Sequence, residues 1–277
     1  MSGAFLEEMA AGSRARVRAA RARQSQAALE EICRQSPAPP ALRHDARGFD
    51  LIAELKLRSP AAGRLAAAAA DVGRQVSAYA RAGAAAVSVL TEPQRFDGSL
   101  AHLAAAARAL APFAVPTLRK DFLVDPYQVL EARAAGAGGV LVILRLITRA
   151  EIAALLECAR TQGLFVLLEA FDAADLELMH EVVAHHAAPA MLLAGVNCRD
   201  LATLEVQPQR LLELAPLLPA QLPHVAESGV ATEAHAAAAA AAGYQLILVG
   251  SALMRADDPA ALARALLAAG RAARRVA

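Results

Sequence analysis

Short apolar runs rich in Leu, Val and Ile alternate along the chain with longer stretches in which apolar positions recur at helical spacing. The runs occupy 51–56, 86–90, 115–119, 139–144, 164–169, 192–197, 224–227 and 246–249. Each has the length of a strand, and each is followed by room for a helix. Alternation of this kind predicts an α/β protein whose parallel sheet is covered by helices. Eight such units close a (β/α)8, or TIM, barrel and leave no sheet edge. An open doubly wound sheet is the alternative architecture.

The first forty-odd residues stand apart: they read as helices that stop at the Pro-rich 36–40. The expected organisation is one barrel domain over 1–277, with 1–48 as an N-terminal helical extension. Arg14, Arg16, Arg18, Arg21 and Arg23, spaced through Ala, predict a helix with a solvated basic face. No aromatic residues interleave with them, which argues against a nucleic-acid arm. The apolar 234–250 is split by Gly243, Tyr244 and Gln245, and so predicts an Ala-rich helix followed by a strand rather than a membrane span.

Composition narrows the function classes. The 277 residues are 57% hydrophobic, enough for a large core, although much of that fraction is Ala and favours helix more than packing. Lys and Arg number 28 against 27 Asp and Glu, so no net field draws the molecule to nucleic acid or a membrane. Glu7 and Glu8 lie where an export signal would be positive, and Cys33, Cys158 and Cys198 are odd in number and widely spaced. Both features predict a cytoplasmic protein with free thiols. The pair His185 and His186 lacks metal-ligand spacing and reads as a surface turn, so no metal is expected.

Candidate chemistry gathers where the predicted strands end. Lys56, Lys120, Glu169, Asn197, Glu227 with Ser228, and Gly250 with Ser251 all fall there. In a closed barrel these ends surround one mouth. A helix cap or loop onset explains any one of them, but less readily the whole series. Glu54 and Lys56, two apart on a strand, share a face; they are either a structural ion pair or part of a site. Ser59, followed by Pro60 and Gly63, sits in a loop suited to an anion. Lys120 follows Arg119, and positive crowding with burial predicts a lowered ammonium pKa and a general acid. Glu169, among Leu167 and Leu168, reads as a general base or as an ordinary loop glutamate. The glycines at 229 and 250 let backbone N–H groups approach a ligand, and loops after strands seven and eight are where barrels often hold phosphate.

Six ordered segments then resemble one family. They are Ile52-Ala-Glu-Leu-Lys56 with Ser59-Pro60, Ser88-Val-Leu-Thr91 leading to Phe96-Asp-Gly-Ser-Leu100, and Leu118-Arg-Lys-Asp-Phe122 with Asp125-Pro-Tyr127. They continue with Val196-Asn-Cys-Arg-Asp-Leu201, Glu227-Ser-Gly229 and Val249-Gly-Ser-Ala-Leu-Met254. Together they resemble the indole-3-glycerol-phosphate synthases.

That resemblance implies closure of an indole ring from 1-(2-carboxyphenylamino)-1-deoxyribulose 5-phosphate, with loss of carbon dioxide and water, in tryptophan biosynthesis. It implies no cofactor, and an N-terminal extension that packs over the barrel mouth. By the same resemblance Lys120 is the general acid, Glu169 the base working with Glu54, and Lys56 the cation that meets the substrate carboxylate. Asn197 and Arg199 orient these groups, Phe96 and Phe122 wall the aromatic ring, and Glu227 and Ser228 border the pocket. Ser59, Gly229, Gly250 and Ser251 are the implied phosphate contacts. A small phosphorylated substrate is the expected partner of a monomer or weak oligomer, with contact to other enzymes of the pathway possible.

Three places depart from the family pattern: Phe171 stands where His is frequent, Ala226 where Ser is frequent, and Ala61-Ala62 where Ser-Lys is common. They bear on positioning and affinity rather than on the acids, base or phosphate ligands. Two other readings compete. One is a different phosphate-binding barrel of the same pathway, which has no need of two inward lysines. The other is a barrel retained as a scaffold, in which costly buried charges have no purpose.

Overall fold

The computed structural model describes residues 2–43, 48–60, 63–65, 71–185, 192–200 and 203–275. His186, Ala61, Ala62 and Leu201 lie outside them. Eight parallel strands close into a barrel: β1 Asp50–Leu55, β2 Ala86–Leu90, β3 Thr117–Lys120, β4 Gly139–Ile143, β5 Phe165–Ala170, β6 Leu192–Asn197, β7 His224–Glu227 and β8 Leu246–Val249. Every strand pairs with its neighbours in sequence, and β8 pairs with β1 from Asp50↔Leu246 to Ala53↔Val249. The open sheet is therefore excluded. Strand bounds match the sequence pattern to within a residue or two.

Two apolar layers follow from the period of two along each strand. Ile52, Leu118, Leu141, Leu167, Leu193, Val225 and Leu248 point inward and fill the barrel. Their neighbours Leu51, Ala53, Val87, Val140, Val166 and Ile247 point outward and pack against the helices. Continuing the inward parity toward the C-terminal ends gives Glu54, Lys120, Glu169, Asn197, Glu227 and Gly250. The same alternation that builds the core thus delivers the polar side chains to one rim.

The outer helices start where short polar side chains cap them. Asp71 caps α3 (Val72–Arg81), Ser99 caps α5 (Leu100–Leu110), and Asp125 caps α6 (Pro126–Ala134). Thr148 and Glu151 form a reciprocal capping box on α7 (Arg149–Thr161). His185, read from the sequence as part of a turn, instead ends a helix, Ala173–His185, and is exposed there. Residues 233–241 form the Ala-rich helix expected before β8. No helix among the described residues is long and apolar enough to cross a membrane.

Two helices precede the barrel, α1 Ser2–Arg23 and α2 Gln26–Gln35, the second ending at Ser36 as the proline cluster predicts. The basic face of α1 is solvated as expected, with Arg14, Arg18, Arg21 and Arg23 exposed, but three of its arginines also make ion pairs. Arg14 pairs with Glu151 at 3.1 Å, Arg16 with Asp121 at 2.7 Å and Arg21 with Asp125 at 2.8 Å. Those acids lie in the loops and helices after β3 and β4, so these arginines dock α1 on the barrel. Leu6 and Met9 join the same apolar cluster as the barrel interior.

Candidate active site

A cavity of about 390 Å³ opens at the C-terminal ends of the strands, and all fourteen residues singled out from the sequence line it. Lys56, one residue past β1, places Nζ 2.7 Å from Glu54 Oε1. Lys120 Nζ lies 3.1 Å from Glu169 Oε1 and 3.5 Å from Glu227 Oε2. Three carboxyl side chains, each at most 3% exposed, therefore meet two ammonium groups in one chamber.

Neighbouring side chains fix this group. Asn197 Oδ1 accepts the Arg199 backbone N–H at 3.0 Å and the Ser228 hydroxyl at 2.8 Å. With its oxygen so occupied, the amide can only turn its Nδ2 to Glu169 Oε1, to which it donates at 3.0 Å. Ser228 reaches Asn197 from a left-handed backbone, φ +67°, a conformation that costs energy for a residue with a side chain and tends to occur at functional sites. Arg199 lines the cavity, but its guanidinium donates to the Leu204 carbonyl at 2.7 Å. It steadies its own loop, and only its backbone N–H bears on Asn197.

The expected lowering of the Lys120 pKa is overturned. Burial does pull it down, but the carboxylates of Glu169, Glu227 and Glu54 together outweigh burial and raise it above the ordinary lysine value. Arg119, which suggested positive crowding, points the other way. Strand alternation sends it outward to Glu131 at 3.1 Å and to the Gln128 carbonyl at 2.7 Å.

Glu227 has more to do than the sequence suggested. Burial, then the adjacent Glu169 carboxylate, push its carboxyl pKa well above the usual range despite the Lys120 ammonium, which acts the other way. Among the described residues neither of its oxygens has a hydrogen-bond partner. Space for it comes from Gly195 on the adjacent strand, where a Cβ would collide with Glu227 Oε1. Gly250 does the same for Glu54, whose Oε1 occupies the place its Cβ would take. That glycine was read from the sequence only as a phosphate contact.

Opposite the charges stand apolar walls. Phe96 and Phe122 face each other with centroids 6.3 Å apart, and Phe5 of α1 meets Phe122 edge-on at 5.9 Å. Phe5 was not singled out in the sequence. Its signal was the stripe of Leu6, Met9, Ser13 and Val17, buried at helical spacing on a segment whose many alanines blur the pattern. Ser59 belongs to a two-residue strand, Arg58–Ser59, paired with Gly63–Arg64, where a plain loop was expected. Ser59, Gly229, Gly250 and Ser251 line the remaining side of the cavity. Of the departures, Phe171 lines the cavity with Arg145 stacked 5.1 Å from its centroid, whereas Ala226 faces the outer helices.

Comparison with known proteins agrees with this geometry. The family model for indole-3-glycerol phosphate synthase matches residues 6–266. The chain is 41% identical over 271 residues to an indole-3-glycerol phosphate synthase of Micrococcus luteus, covering 95% of this chain and 97% of that protein. It is 41% identical over 269 residues to one of Parafrankia sp., covering 96% of each. Among solved structures, 3-hexulose-6-phosphate synthase from Salmonella typhimurium superposes with a TM-score of 0.61 at 16% identity, covering 80% of this chain and 98% of that one. That last likeness speaks to the barrel alone. With the family model spanning nearly the whole barrel and relatives of this similarity end to end, the chain belongs to the indole-3-glycerol phosphate synthase family.

Proposed function

We infer that the chain closes the indole ring of indole-3-glycerol phosphate from 1-(2-carboxyphenylamino)-1-deoxyribulose 5-phosphate, as a carboxy-lyase of tryptophan biosynthesis. The aryl carbon bearing the carboxylate bonds to the ribulose carbonyl carbon, and the carbonyl oxygen takes a proton. Carbon dioxide then leaves, returning its bonding pair to the ring. Finally the new hydroxyl takes a second proton and departs as water, while the neighbouring methylene carbon gives one up. The balance requires two proton deliveries to one oxygen and one removal from carbon.

The site is provisioned for that count. Lys120 is the first donor. With its pKa raised it parts with a proton only to a strong base, which the forming alkoxide is. Glu227, whose carboxyl pKa is raised well above the usual range and which lies 3.5 Å from Lys120 Nζ, is a second donor, with Lys56. Glu169, oriented by Asn197, is the base, with Glu54 beside it. Lys56 meets the substrate carboxylate until it leaves. Phe96, Phe122 and Phe5 enclose the aryl ring, and Ser59 with the backbone at Gly229, Gly250 and Ser251 holds the phosphate.

Holding both ends of one molecule folded together supplies much of the rate in such a reaction. The chain is proposed to act as one domain over 1–277, with 1–48 covering the mouth and excluding water, as a monomer or weak oligomer in the cytoplasm. The observation that carries the reading is the convergence of Glu54, Lys56, Lys120, Glu169 and Glu227 on one cavity with the late glycine loops. The test is direct, because the chain has no Trp and indole fluorescence rises over a low background. Purified protein is expected to generate that signal from the anilino-ribulose phosphate; a flat trace at substrate saturation overturns the assignment.

A further inference from the structure

Arg16 lies outside the cavity, yet one guanidinium of α1 spans two loops that wall it. Nη2 lies 2.7 Å from Asp121 Oδ1, and Nη1 lies 3.6 Å from Glu92 Oε1. Both carboxylates are 1% exposed, whereas Arg16 is 28% exposed at the edge of the helix.

Each carboxylate is tied to one ring of the aromatic wall. Asp121 accepts the backbone N–H of Phe122 at 2.8 Å, while its other oxygen accepts from Thr91 at 2.8 Å and Arg119 at 3.1 Å. Glu92 accepts the backbone N–H groups of Gln94 and Arg95 and so caps α4 (Pro93–Phe96), whose last residue is Phe96. The helix that carries Arg16 also carries Phe5. The two are eleven residues apart, which is about three turns of α-helix, so they share a side of it. Ser13, between them, donates to the Phe122 carbonyl and accepts from Gln128 at 2.8 Å.

We propose that Arg16 is a positioning residue for the aromatic wall: its fork joins the loop of Phe96 to the loop of Phe122 and registers Phe5 of α1 against both. Affinity for the aryl ring of the substrate is thereby set from the N-terminal helix. The charge alone does not suffice. Two carboxylates on separate loops need the two ends of a planar guanidinium, and a lysine ammonium is a single point. Because Arg16 touches no reacting group, its removal weakens ground state and transition state alike, which raises KM and spares kcat.

This inference rests on the proposed ring closure, and full-length wild type, Arg16→Gln, Arg16→Lys, Phe5→Ala and the double variant Arg16→Gln/Phe5→Ala separate the two. In Arg16→Gln, KM is expected to rise about tenfold, the scale of one displaced aromatic contact, with kcat within about threefold of wild type. The melting temperature should fall, because two carboxylates that are 1% exposed lose a cation, while the circular dichroism of the barrel is kept. Arg16→Lys should fall between the two in KM. Phe5→Ala should add little in the Arg16→Gln background, since the ring is then already out of register. Wild-type KM in Arg16→Gln or Arg16→Lys, loss confined to kcat, or full additivity with Phe5→Ala overturns the proposal while leaving the ring closure standing. Absence of wild-type turnover overturns both.

Discussion

Asn197 Nδ2 donates to the same oxygen of Glu169, at 3.0 Å, that Lys120 approaches at 3.1 Å. One carboxylate oxygen is therefore engaged from two sides, which fixes the orientation of the group. In Asn197→Ala the donor is lost and Glu169 can rotate. A hydrogen bond to a charged group contributes about 1.5–3 kcal/mol, so kcat should fall about 10- to 100-fold. Steady-state kinetics check this, and an unchanged kcat would mean that Lys120 orients Glu169 unaided.

Lys120→Ala removes the proposed first donor and leaves the phosphate loops intact. Turnover should drop by about 10² to 10⁴, the range for a positioned acid or base. Calorimetric affinity for a ribulose-phosphate analogue should change little. Equal loss of both would mark Lys120 as a structural cation.

Glu227 makes stability depend on pH with a definite sign. Its pKa is raised in the folded chain, while unfolded it titrates near the ordinary value of about 4.3. The folded state binds the proton more tightly, so this stabilisation is complete below the ordinary value and is lost as pH rises through the folded one. Glu227→Gln does not titrate. Urea unfolding should therefore show the variant gaining on wild type as pH rises from about 4 toward neutrality. The raised Lys120 pKa also contributes stability, but that loss begins only above about pH 10 and does not confuse the comparison. Parallel stability profiles would refute the shift.

At Gly250, an added methyl must displace the Glu54 carboxylate. Gly250→Ala should keep the circular dichroism of the barrel and lose at least about tenfold in kcat/KM, since sub-ångström placement governs such sites. Wild-type kinetics in this variant would mean that Glu54 works equally well from another position.

Much of this architecture was legible from period-two alternation. Runs such as 192–197 and 246–249 became strands at those bounds, and inward parity placed Glu54, Lys120, Glu169 and Asn197 at one rim. What escaped depended on residues remote in sequence. Arg119 suggested a cationic setting for Lys120, but adjacency along a strand means opposite faces, and the side chains that surround Lys120 come from β1, β5 and β7. The ion pairs of the α1 arginines escaped because Glu92, Asp121, Asp125 and Glu151 stand 76 or more positions away. Glu227 seemed a border residue because nothing local announces the room that Gly195 leaves for it.

The pairing of β1 with β8 joins the two ends of the barrel sequence, and Glu54 with Gly250 straddles that seam. A chain whose first seven strands have assembled owns nearly every polar group described here, yet its earliest carboxylate still lacks the niche supplied by the latest strand. Competence thus waits on a contact between opposite ends of the barrel sequence, a kind that is slow to form.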